Sequence, residues 1–147
     1  MKQVSRSALV SFSAEQMFNL VNDVASYPEF LPGCSGSRVI ESSTGAMVAS
    51  VDVAKAGISK TFTTSNELKD GESIIMNLVD GPFKSLKGAW SFTPLDDKAC
   101  KVELKLEFEF SSKMIELAFG KVFNELTSNM VNAFSSRAKQ VYPAYEF

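Results

Sequence analysis

The residue types that usually carry proton transfer, nucleophilic attack and metal binding are thinly supplied in this chain. It has no histidine and two cysteines, Cys34 and Cys100, far apart in sequence. Without histidine there is no imidazole acid or base, no Ser/His or Cys/His nucleophile pair and no mixed Cys/His zinc site; two cysteines cannot form an all-cysteine tetrahedral one. Carboxylates are present but not patterned for catalysis. Asp96-Asp97 adjoins Lys98 in a turn-like stretch, and Glu103, Glu107 and Glu109 alternate with apolar residues beside Lys101 and Lys105, the arrangement of solvated strand charges. Both cysteines read as small packed residues. The chain is expected not to be an enzyme, and to need no cofactor or metal.

What remains is recognition through apolar and basic groups. Tyr27, Phe30 and Leu31 sit in the stretch Tyr27-Pro28-Glu29-Phe30-Leu31-Pro32-Gly33, where two prolines and a glycine frame large apolar side chains in a rigid loop or single helical turn. That loop either plugs the core or lids a pocket. Phe62, Met76, Trp90, Phe108, Phe119 and Phe123 fall at strand or helix spacing and are candidates for core packing or ligand lining. Lys55, Lys60, Lys84 and Lys87 are candidates for a local basic patch on neighbouring hairpins. A net charge of −2 and an isoelectric point near 5.2 argue against whole-surface attraction to nucleic acid, so any such contact must be local. Asp52 and Lys55 flank an Ala56-Gly57 turn, where hydrogen bonding at a hairpin end explains them as well as a partner does.

The elements that position these residues follow from periodicity. Between Ser111 and Tyr142, apolar residues at Ile115, Phe119, Val122, Phe123, Leu126, Met130, Phe134, Ala138 and Val141 step by three and four. They predict a helix about 40 Å long with one buried face. Ser111 and Ser112 are cap candidates, Glu116 and the Arg137/Lys139 pair suit the helix dipole, and Pro143 ends the run. Lys2 to Val10 alternates as a strand. Ser13-Ala14-Glu15-Gln16 is a capping box that starts a short helix. Six further strands are expected at Ser37–Ser42, Ala46–Ala54, Ser59–Leu68, Ser73–Leu78, Ser85–Phe92 and Lys101–Phe110, separated by glycine and aspartate turns. The clearest is the last, with Val102, Leu104, Leu106, Phe108 and Phe110 on one face.

The expected fold is α+β, one domain over residues 1–147. A curved antiparallel β-sheet of about six to seven strands wraps a long C-terminal helix, with a short helical segment after strand 1. A curved sheet and a straight rod do not fit flush, so an apolar pocket is expected between them, its mouth near Tyr27 to Gly33 and bordered by Gly120. No stretch approaches the ~20 apolar residues of a membrane span and the first ten residues do not read as a signal peptide, so a cytoplasmic location is expected.

Several segments carry a family resemblance. Val21-Asn22-Asp23-Val24 followed by Ser26 to Cys34, then Val51-Asp52-Val53-Ala54-Lys55-Ala56-Gly57-Ile58, Lys60 to Thr64, Leu78-Val79-Asp80-Gly81-Pro82-Phe83 and Phe108-Glu109-Phe110, resemble the family uniting the coenzyme Q-binding protein with the ribosome association toxin RatA. That family belongs to the START-like, polyketide cyclase-related superfamily of helix-grip folds. The resemblance spans Val4 to Tyr142. It implies, as the expected function, non-enzymatic binding of ubiquinone or a similar isoprenoid lipid in support of respiration, and as the alternative, binding the large ribosomal subunit and blocking its joining to the small one, with an antitoxin as counterpart. On the first, the pocket residues are Tyr27, Phe30, Leu31, Phe62, Met76, Trp90, Phe108, Phe119, Gly120 and Phe123. On the second, the ribosome contacts are Lys55, Lys60, Lys84 and Lys87.

Overall fold

In the computed structural model, which describes residues 2–55 and 57–142, seven strands form one antiparallel sheet. The elements are β1 (Lys2–Val10), α1 (Ala14–Asn22), a 3-10 turn (Val24–Glu29), β2 (Cys34–Ser43), β3 (Ala46–Lys55), β4 (Ile58–Lys69), β5 (Ser73–Asp80), β6 (Phe83–Asp96), β7 (Ala99–Phe110) and α2 (Lys113–Val141). The strand order is β1-β7-β6-β5-β4-β3-β2, a meander of hairpins with the first strand added beside the last.

Local chemistry sets the helix starts. The Ser13 hydroxyl accepts from the Gln16 amide at 3.1 Å, and the Gln16 side chain accepts from the Ser13 amide at 2.9 Å, closing a capping box on α1. For α2 the cap is Ser112, whose hydroxyl accepts from the Ile115 amide at 3.1 Å. Pro143, expected to end this helix, and Ala56 of the β3–β4 turn lie outside the described residues.

The strands differ from the sequence reading mainly at their ends. β2 begins at Cys34 rather than Ser37, because register shifts at Cys34/Gly36 and Val39/Glu41 absorb residues that break simple alternation. β6 continues past Phe92 to Asp96, with Pro94 opposite Cys100 next to a register shift that releases the ladder. Along β7, Cys100, Val102, Leu104, Leu106, Phe108 and Phe110 are all buried, so one face of the sheet is the core wall.

Two aromatic clusters fasten α2 to that wall. Near its start, the Phe123 ring lies 4.8 Å from Phe83 and 4.9 Å from Phe108, with Phe62, Phe110 and Phe119 around them. Further along, the Phe134 ring sits 5.3 Å from Tyr27, Phe30 and Trp90 alike. Arg137 reinforces the second joint, its guanidinium 5.0 Å above the Phe30 ring and 3.1 Å from Glu29. Both Phe123 and Phe134 are fully enclosed, and at 1.5 Å per residue they stand roughly 16 Å apart along the helix.

Candidate functional site

Between those joints the facing side chains are shorter. On α2 the steps from Phe123 to Phe134 place Leu126, Thr127 and Met130 toward the sheet. The opposing strands offer Ala49, Val51, Thr64, Asn66 and Met76. Rings at both ends hold the helix off a wall of smaller residues, and the space left over is a mostly apolar cavity of about 60 Å³. Val24, Tyr27 and Leu31 close one end. Gly88 helps shape the wall: a Cβ there would lie 2.6 Å from Leu106 Cδ1 and 3.0 Å from Met76 Cε, so glycine lets both side chains settle against β6.

Four polar groups belong to the lining. The Tyr27 hydroxyl donates to the Val21 carbonyl, and burial above all, then the charges of Cys34 and Asp23, push its ionisation well above the ordinary phenol range. Tyr27 therefore stays neutral. Thr127 donates to the Phe123 carbonyl at 3.0 Å within its own helix. Thr64 donates to Asn66 Oδ1 at 2.8 Å, and both residues are buried. The Asn66 amide nitrogen makes no hydrogen bond among the described residues. Among the described residues no carboxylate or cation lines the cavity, and no group of three or more Cys, Asp or Glu side chains is suited to a metal.

Leu126 also borders a second hollow of about 250 Å³, open on the outside between Pro32, Gly33, Ala54, Lys55, Val122, Glu125 and Asn129. Across it the Lys55 ammonium meets the Glu125 carboxylate at 2.7 Å and holds that carboxyl below its ordinary range. Leu126 thus lines both the cavity and the outer groove.

Of the residues proposed from sequence, Tyr27, Leu31, Phe62, Met76, Trp90 and Phe123 line the cavity. Phe30, Phe108, Phe119 and Gly120 do not. Phe30 packs on Phe134 under Arg137, while Phe108 and Phe119 belong to the cluster around Phe123. Gly120 faces the Phe110 ring, 3.5 Å from where its Cβ would stand, so it packs against the end of β7 and is not part of this cavity's lining. The sequence reading does not single out Asn66, Thr64 and Thr127, and it places Leu126 and Met130 only in the buried stripe of α2. The missed signal was the polar pair Thr64 and Asn66 at inward positions of β4, between Phe62 and Leu68.

The four lysines do not make one patch. Lys60 pairs across the ladder with buried Val53, and Lys55 shares that parity, so both lie on the α2 side of the sheet. Lys87 stands opposite Glu107 on the outer face, with exposed Lys84 nearby in β6. Asp52 is held by Arg38 at 3.1 Å and Thr61 at 2.6 Å, above Gly36, where a Cβ would come within 2.6 Å of its carboxylate. The hydrogen bond from Thr61 and then Arg38 keep this carboxyl below the usual aspartate value. Cys34 and Cys100 are buried free thiols, Cys100 pushed up to about 11 by burial.

Comparison with known proteins places this geometry in context. Residues 10–135 match the family model described as polyketide cyclase / dehydrase and lipid transport. The chain is 82% identical over 142 residues to the ribosome association toxin RatA of Vibrio cholerae, covering 97% of this chain and 99% of that protein. It is 28% identical over 148 residues to the mitochondrial coenzyme Q-binding protein COQ10 homolog B of Xenopus laevis, covering 98% of this chain and 61% of that one. Among solved structures, the Zhui aromatase/cyclase of Streptomyces sp. R1128 superposes with a TM-score of 0.85 over 99% of both chains at 18% identity, a likeness of fold.

Proposed function

The chain belongs to the polyketide cyclase/dehydrase and lipid-transport family, in the branch that unites RatA with coenzyme Q-binding proteins, and from that membership we propose that it is a non-enzymatic ribosome association toxin. The observation that carries this reading is the 82% identity to RatA over nearly the full length of both chains. In this reading it binds the large ribosomal subunit in the cytoplasm and opposes joining of the small one, with an antitoxin as its counterpart. A net charge of −2 makes the contact local, and Lys84 and Lys87 on β6 are its proposed basic residues.

Sedimentation of the purified chain with ribosomes at low magnesium tests this. Comigration with large subunits and loss of joined particles is expected; protein remaining at the top of the gradient overturns it. Charge reversal at Lys84 and Lys87 together should lower the slope of log affinity against log salt by roughly two, since each phosphate contact contributes about one.

The cavity favours a second reading, compatible with the first: the protein holds a small apolar molecule of the quinone or isoprenoid class. At about 60 Å³ the cavity is well below the ~300 Å³ of ordinary ligand sites, so a quinone head enters only as Met76, Met130 and Leu126 swing aside. Solvent extraction of the purified protein followed by mass spectrometry tests it; absence of any prenyl lipid above the level in a control protein rules it out.

A further inference from the structure

We propose that Asn66 selects the cavity's ligand, requiring an apolar molecule that carries a hydrogen-bond acceptor at one end, such as a ketone or quinone carbonyl. This rests on the apolar-ligand reading above and adds what that ligand must present. Every other polar group of the lining already has its donor hydrogen committed. Tyr27 donates to Val21 O and Thr127 to Phe123 O, both to backbone carbonyls.

Asn66 differs. Its side-chain oxygen is occupied by the Thr64 hydroxyl at 2.8 Å, which leaves the amide NH2 as a donor with no protein partner among the described residues, on a residue only 6% exposed. The nitrogen is not among the fully buried side-chain atoms that lack a partner, so it is not yet shut away from water; a ligand filling the cavity shuts it away, an acceptor on that ligand replaces the lost water, and an aliphatic ligand of the same shape leaves the donor stranded at a cost in free energy. Thr64 acts as a positioning residue: by donating to Oδ1 it sets which end of the amide is free. The remaining lining is aliphatic or aromatic, so the rest of the molecule must be apolar, and Leu126 marks where its tail would leave toward the groove beside Pro32 and Val122.

The test uses two probes of similar size, acetophenone and ethylbenzene, titrated into the intact protein. Trp90, the sole tryptophan, lines the cavity and reports binding by fluorescence. Acetophenone should bind the parent about three- to tenfold more tightly than its water-to-octane transfer difference from ethylbenzene predicts, the span of one neutral hydrogen bond. Asn66→Leu should erase that excess and leave ethylbenzene affinity within about twofold. In the parent, the Asn66 side-chain amide proton resonances should move downfield with acetophenone and not with ethylbenzene, a readout that stands even where Asn66→Leu folds poorly. Equal excess in parent and variant, or an unmoved amide, overturns the role of Asn66 while the cavity reading survives. Binding of neither probe to the parent overturns both.

Discussion

Truncating Phe123 probes the joint on which the helix-grip arrangement depends. Its ring is 1% exposed and meets five other phenylalanine rings, Phe83 and Phe108 most closely at 4.8 and 4.9 Å. Loss of burial alone is worth about 1.5 to 3 kcal/mol, and tilted or edge-on ring pairs add roughly 0.5 to 1.5 kcal/mol beyond that. Phe123→Ala should therefore cost about 3 to 5 kcal/mol, in line with other buried aromatic truncations. For a chain of this size that lowers the melting temperature by roughly 10 to 20 °C. Met114→Ala, on the same helix but 78% exposed, is the control and should change stability by less than about 0.5 kcal/mol. Because Phe123 also lines the cavity, its removal enlarges that space, and ethylbenzene should raise the melting temperature of the variant more than that of the parent. Differential scanning calorimetry with and without ethylbenzene measures both effects. A fall of less than 2 °C in the variant would refute the idea that this ring joins α2 to the sheet.

Two other perturbations follow from the geometry. Gly120→Ala should stabilise the protein by about 0.5 to 1 kcal/mol, since helix propensity improves and the new Cβ meets Phe110 and Glu116 at ordinary contact distances of 3.5 and 3.6 Å; a lowered urea midpoint, or altered probe affinity, counts against this placement. Asp52 holds its charge more strongly folded than unfolded, so its contribution is present above the unfolded value near pH 4 and is lost as pH falls through the lower folded value. Asp52→Asn should accordingly flatten the stability curve below about pH 4, and parallel urea-midpoint curves for parent and variant there would contradict the network with Thr61 and Arg38.

Elements governed by one strong local signal were legible in the sequence. The alternation in β7, the Ser13–Gln16 box and the three-four steps of α2 each sufficed, because local spacing determines which face is buried. Ends were less legible: β2 starts early and β6 runs through Pro94, because bulges let a chain stay paired after its alternation fails. Part of the site could be read in the same way. Tyr27 and Leu31 announced themselves by their proline frame, whereas Asn66 looked like one more polar strand residue until the register fixed its parity. The lysines show the same limit from the other side. Lys60 and Lys87 resemble each other as sequence, yet opposition to Val53 in one case and Glu107 in the other puts them on opposite faces.

The pairing of β1 with β7, from Lys2 opposite Phe108 to Val10 opposite Cys100, also dictates an order of events during synthesis. Strands β2 to β6 can close neighbour by neighbour as they leave the ribosome, but β1 has no partner until β7 emerges, about 5 to 20 s later at ordinary elongation rates. Such a distant closure raises contact order and slows the final step of folding. The exposed run of Lys2, Gln3, Ser5, Arg6 and Ser7 suits that delay, since a strand this polar waits in water without recruiting a wrong neighbour.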